Sequence, residues 1–226
     1  MVSSQPVLVV RTPIDYGPAT KFIGPVQYLL KRSLEHSPVI VIDDDVIYPD
    51  KIVETLLQWH QRLPHAVVAA KGWVVHVLNR YITPPKAYGV YGNELDAPHP
   101  VTIVNGNCGY LIVPSMFVPK SGVYDKNNLP LWDFTGVKKA VQFMDDIWIS
   151  GNLAKLGVPR FVVPFDRDQV HHAALIIEET INLDIIEGIS GMGARTVANN
   201  MALEHFKENW DNRFSDDHIL LLDARP

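Results

Sequence analysis

The sequence predicts an α/β fold with a Rossmann-type mixed, mainly parallel sheet flanked by helices, and three observations carry that expectation. Val39-Ile40-Val41-Ile42 is an unbroken run of β-branched apolar residues, the pattern of a strand buried on both faces, and it stops at Asp43-Asp44-Asp45. From Pro49 the periodicity turns helical, with Ile52, Val53, Leu56 and Leu57 on one face and Lys51, Glu54, Gln58 and Gln61 on the other. Ala66-Val67-Val68-Ala69-Ala70 then reads as a second buried strand. Strand, helix and strand in close succession imply a right-handed crossover between parallel strands.

The other elements follow in chain order. Val7 to Arg11 is a short apolar run expected as the first strand, and Ala19 to Glu35 has helical character interrupted at Gly24-Pro25. Between Gly72 and Pro100 the periodicity dissolves into aromatic, Gly and Pro residues, as in an extended loop or ribbon. Val101 to Val104 and Tyr110 to Val113 are strands flanking Asn105-Gly106-Asn107-Cys108-Gly109, whose two glycines suit either a tight turn or a close approach to a ligand. Phe143 to Trp148 opens a helix that continues through Ile149, Leu153 and Leu156 and ends at Gly157 and Pro159. Arg160 to Val163 is the last strand, Ala173 to Gly193 fits helix, strand or ordered loop, and Ala194 to Trp210 is a final helix expected to pack on the rest.

Composition bounds the function. At 226 residues, 47% hydrophobic and 20% charged, the chain is expected to form a single domain over residues 1–226 with a sizeable core. Its net charge of -5, with no cluster of Lys and Arg, argues against a broad nucleic-acid face. Cys108 is the single cysteine, which leaves no intrachain disulfide and no cysteine-based zinc site, and it reads as a small core residue. No apolar run has the length of a membrane span, and the first residues lack a signal peptide's basic and apolar regions. A soluble chain is expected, in the cytoplasm rather than secreted.

Two carboxylate clusters stand out. In open α/β sheets ligands bind at the carboxyl ends of parallel strands, so Asp43, Asp44 and Asp45 are placed to hold a divalent cation that would offset their mutual repulsion. Side chains alternate along an extended chain, so Asp43 and Asp45 face one way and Asp44 the other, and a metal would use Asp45 alone or both outer acids. A solvated acidic loop or helix N-cap is the bland alternative. Asp145 and Asp146 form the second cluster, for which the dipole of the helix they open is the bland explanation.

Three motifs in this order, Asp15-Tyr16-Gly17-Pro18-Ala19-Thr20-Lys21, Ile42-Asp43-Asp44-Asp45-Val46-Ile47-Tyr48-Pro49 and Met144-Asp145-Asp146-Ile147-Trp148, resemble the GT-A class of nucleotide-sugar glycosyltransferases. Within it the likeness is to the glycosyltransferase domains typified by the N-terminal domain of a large chlorella-virus protein. The resemblance spans about residues 7–172 and implies a GT-A-like sheet. Only 42 residues precede Asp43, fewer than that class uses for its base-binding units, so the chain as read is expected to lack the first nucleotide-binding unit.

The resemblance implies a metal-dependent, inverting hexosyl- or deoxyhexosyltransferase that moves a sugar from a nucleoside diphosphate donor, with UDP as the nucleotide, to a hydroxyl of a glycan or other acceptor. Mn²⁺ or Mg²⁺ would be held by Asp45 with Asp43, and completed by His171 or its neighbour His172. Asp43 and Asp44 would also face the donor's ribose or sugar, with Lys21 and Arg11 contacting phosphate or base. Asp146, with Asp145 as its understudy, would take the acceptor's proton. Trp148 is expected in the core rather than as a sugar platform. Two other readings compete. One is a haloacid-dehalogenase-like phosphatase with Asp43 as nucleophile and Asp45 as acid/base, against which Tyr48-Pro49 replaces the expected Gly-Thr-like turn. The other is a catalytically silent GT-A-like binding domain.

Overall fold

Val67, Val68 and Ala69 have no solvent exposure, and the strand they form lies at the centre of the molecule. The structure is a computed structural model that describes residues 8–44, 46–76, 86–120, 124–125, 127–165 and 194–210. In chain order its elements are α1 (Thr20–Lys31), β1 (Val39–Val41), α2 (Ile52–Arg62), β2 (Val67–Ala69), β3 (Lys71–His76), β4 (Lys86–Tyr91), β5 (His99–Pro100), β6 (Ile103–Val104), β7 (Tyr110–Ile112), α3 (Lys139–Gln142), α4 (Asp145–Lys155), β8 (Arg160–Val162) and α5 (Ala194–His205). Among the described residues no helix is long and apolar enough to cross a membrane.

The strands form a five-stranded sheet in the order β1-β7-β2-β8-β5 and a three-stranded sheet in the order β4-β3-β6. The α/β class and the mixed sheet therefore hold, but the mainly parallel arrangement does not. β7 runs antiparallel to both β1 and β2, β5 runs antiparallel to β8, and only the β2–β8 pairing is parallel among the described residues. An apolar run looks the same whichever way its strand points, so the reversed β7 between β1 and β2 left no mark in the pattern. The segment read as a loop or ribbon is a ribbon, with Lys71–His76 paired to Lys86–Tyr91 throughout and to β6 on its other side.

Several boundaries and burials differ from the sequence expectation. Among the described residues β1 lies at the edge of its sheet, bonded to β7 alone, so Val39 and Ile40 are half-buried and Ile42 is 51% exposed. A β-branched run reports strand preference, and burial on two faces needs two covering layers that an edge lacks. The expected first strand is not seen among the described residues. Residues 8–11 form no strand, Leu8 and Val9 are exposed, and no described strand pairs with them. Helix α1 runs unbroken through Gly24-Pro25 because Phe22, Ile23, Val26 and Leu30 are fully buried along it, while Pro25 in the second turn forfeits only one backbone bond. Ile52 and Leu56 are buried under α2, whereas Val53 points outward. The final helix stops at His205. Residues 173–193 lie outside the described part.

The C-terminal helix is docked by aromatic packing. Trp148 on α4 is in the core, as expected, donating from Nε1 to the Leu131 carbonyl (2.7 Å), stacked on Phe134 and edge-on to Phe206. The Phe206 ring sits against the backbone of Gly151, where an added Cβ would come within 2.3 to 2.6 Å of three ring atoms. Replacing Gly151 by Ala should therefore lower stability by about 1–3 kcal/mol, read as a reduced thermal midpoint, although Ala is the better helix former. A midpoint equal to the parent's would mean the helix does not dock there.

Candidate functional site

The site is built at one edge of the five-stranded sheet. Val41 and Ala69 both pair with Tyr110, so the carboxyl ends of β1 and β2 meet the amino end of β7. That brings Asp43, just past β1, beside Asn105 to Gly109, the loop that leads into β7. Tyr48 fastens the two: its hydroxyl accepts from the Asp43 backbone N–H (2.7 Å) and donates to the Asn107 carbonyl (3.2 Å). Burial pushes the Tyr48 phenol up to about 12, which keeps it protonated for that second bond.

Lys21 reaches this edge from α1. Its Nζ lies 2.6 Å from Asp43 Oδ1 and 2.8 Å from Asp145 Oδ2, with all three side chains a quarter exposed or less. The Asp43 contact is a hydrogen bond, and the Asp145 contact is an ion pair at hydrogen-bond distance. Asp146, next along α4, accepts from the Gly106 backbone N–H at Oδ1 (2.8 Å) and from Asn105 Nδ2 at Oδ2 (3.1 Å). A Cβ at Gly106 would sit 2.9 Å from both Asp146 Oδ1 and Lys21 Nζ, so a side chain here would displace the tips of both. Neither acid caps its own helix by a side-chain bond, though the N-terminal dipole favours both.

The electrostatics follow from burial. Desolvation and the neighbouring Asp145 charge raise Asp146 from the ordinary carboxylate range to about 7, against the opposing pull of Lys21 and the Gly106 N–H. Burial by itself would lower the Lys21 ammonium, but Asp145, Asp146 and Asp43 together raise it above its usual value, so it stays charged. The Tyr110 hydroxyl and Asn105 Oδ1 are buried without partners in the same surroundings. Each such atom costs about 1–3 kcal/mol, a cost that a fold tolerates at a site that must be held ready.

Beside this cluster opens a cleft of about 500 Å³ that Asp145 and Asp146 help to line, together with Trp73 of β3, Asn107, and Asn199 and Asn200 of α5. The final helix is thus a wall of the site as well as a packing element. Asp15 and Tyr16, which precede Lys21 in the first motif, line a different cleft of about 660 Å³ with Trp132 and Phe134.

The structure thus gathers Lys21, Asp43, Asp145 and Asp146 from three distant segments. Asp44 is exposed nearby, and Arg11 sits on the exposed chain before α1 with no bond to the cluster. Asp45, His171 and His172 lie outside the described residues. Among the described residues no three carboxylate, His or Cys side chains converge as metal ligands, and Asp43 already spends one oxygen on an ammonium. That donor set does not by itself fit a divalent cation, and no step below is derived through one. Asn105, Tyr48 and the Gly106 N–H went unassigned in the sequence. Tyr48 adjoins the acidic triplet, but nothing in residue order signals that Asn105 braces Asp146. In comparisons with known proteins, no family model and no curated sequence matches the chain.

The raised Asp146 makes a stability prediction. Between the ordinary carboxylate value of about 4 and about 7, the folded chain holds a proton that the unfolded chain has released, so stability falls as pH rises through that window. Asp146→Asn removes the titration and lets Asn105 turn its Oδ1 toward the new amide. The variant should be more stable than the parent at pH 8 and lose that advantage toward pH 4 in thermal unfolding. A parent more stable than the variant at pH 8 would contradict a desolvated, repelled carboxylate.

Proposed function

We propose that this chain is a glycosyltransferase that moves a sugar from a nucleoside diphosphate donor to an acceptor hydroxyl by a single displacement, with Asp146 as the base. The observation that carries the reading is the meeting of Lys21, Asp43, Asp145 and Asp146 at the carboxyl-end edge of the sheet, beside an open cleft. A carboxylate with a value of about 7 is matched to taking a proton at neutral pH, because it is ionised in part and basic enough to accept. The acceptor oxygen forms its bond to the anomeric carbon as Asp146 takes the proton, and the bond from that carbon to the diphosphate oxygen breaks. Gly106 and Asn105 hold the Asp146 carboxylate in place while this happens. Lys21 stays charged and offsets the neighbouring carboxylates, holding Asp43 and Asp145 at the same edge.

In Asp146→Asn, transfer should fall by ~10² to 10⁴ while donor affinity survives. The parent's kcat/KM should rise with pH through about 7 as Asp146 ionises, a limb the variant lacks. Product analysis in the same assay separates the competing chemistries: a new glycoside is expected, and release of inorganic phosphate from a phosphomonoester would favour phosphotransfer from Asp43 instead.

The donor half of the reading, in which Mn²⁺ or Mg²⁺ is held by Asp45 with Asp43, and with His171, rests on sequence spacing and resemblance. Calorimetry of UDP with Mn²⁺ addresses it. Asp45→Ala should abolish metal-dependent binding with the fold unchanged, and an unaltered affinity would remove Asp45 from the donor site.

A further inference from the structure

The middle of α5 carries Asn199 and Asn200 side by side, two poor helix formers where a packing helix would favour Ala or Leu. Its buried side is built as expected, with Ala198 and Ala202 fully enclosed and Phe206 anchoring the end against Trp148. The two asparagines line the 500 Å³ cleft instead. Among the described residues neither side-chain amide is bonded to the protein. Helix propensity is thus given up on a rigid, well-anchored wall in order to present unpaired amides to the cleft that holds Asp146.

We propose that this wall is the binding surface for a carbohydrate acceptor, and that Asn199 and Asn200 select it over the hydroxyl of a peptide serine or of a lipid alcohol. The proposal rests on the transferase reading for the word acceptor and on the cleft alone for the word carbohydrate. An amide is donor and acceptor at once, as a sugar hydroxyl is, so a row of amides pairs with a polyhydroxylated ring and leaves little for a single alcohol to satisfy. Asn107 adds a third amide to the lining, its Oδ1 accepting from the Cys108 thiol and its N–H groups left for a ligand. Trp73, half-buried in the same lining, supplies a flat apolar surface for the ring's C–H groups. Lys71 stands over the Trp73 and Tyr91 rings with no carboxylate partner among the described residues, and its N–H groups remain for ring or hydroxyl oxygens. The cleft volume lies within the range of small-ligand sites.

The experiment is a ligand-observed NMR titration of the whole chain, without donor, using methyl hexosides and methyl deoxyhexosides, a blocked serine peptide and a short prenyl alcohol. At least one glycoside should bind, and the Asn199→Ala/Asn200→Ala double variant should bind it at least tenfold more weakly, since each lost amide contact weakens binding a few-fold. The inference falls if no glycoside binds, if the double variant binds as the parent does, or if the peptide or the alcohol binds in the glycosides' place. Circular dichroism and thermal unfolding verify the variant's fold. Should it fail to fold, the single variants Asn199→Ser and Asn200→Ser carry the same test at a few-fold each. Where transfer is measurable, the variants should raise acceptor KM and leave donor KM unchanged. Glycoside binding that depends on both asparagines, with no sugar transferred from any nucleotide donor, would sustain this site and overturn the transferase reading. Transfer unaffected by both substitutions would do the reverse.

Discussion

The Lys21 ammonium is the interaction on which the rest of the site depends. Asp43, Asp145 and Asp146 come from segments about a hundred residues apart and would repel one another at the edge of a low-dielectric core. One half-buried positive charge, within 2.8 Å of two of them, lets all three stand together. It is delivered by a helix whose opposite side is wholly buried, so its position is set by packing that has nothing to do with charge. Removing the cation would leave the carboxylates uncompensated, which is far more costly than exchanging the whole cluster for apolar groups.

The same edge shows how a fold accepts local instability at a reactive group. Asp146 is half-buried, repelled by its neighbour and yet held by a backbone N–H and an amide, while the Tyr110 hydroxyl and Asn105 Oδ1 go unpaired beside it. None of this serves the core. It is carried by the apolar sheet and by Trp148 of α4, stacked on Phe134 and met edge-on by Phe206, which fix the helix start from which Asp145 and Asp146 project. Stability generated in one layer is used to keep a poised carboxylate in another.

Geometry also links the site to the cleft. Because β7 reverses direction between β1 and β2, the loop before it lies at the same edge as the ends of both neighbours, and its Gly106 can meet Asp146 without a side chain intervening. A parallel strand in that slot would have put the loop at the far edge. The three-stranded sheet contributes Trp73 and Lys71 to the cleft's lining, and α5 contributes its asparagines.

By itself the sequence determined that the fold is α/β, that Val67 to Ala69 is a core strand and that Trp148 is core, and it singled out two carboxylate clusters, Asp43 to Asp45 and Asp145 with Asp146. Those features are local: a run of apolar residues, a period of 3.6, or charged groups placed where a strand or helix begins or ends. Tertiary structure alone decided the direction of β7, the edge position and half-exposure of β1, the unbroken course of α1 through Pro25, and the pairing of Asn105 with Asp146. Each of these depends on which segment comes to lie beside which. That choice is made by the burial of whole faces summed over the chain, and residue order within any one segment does not contain it.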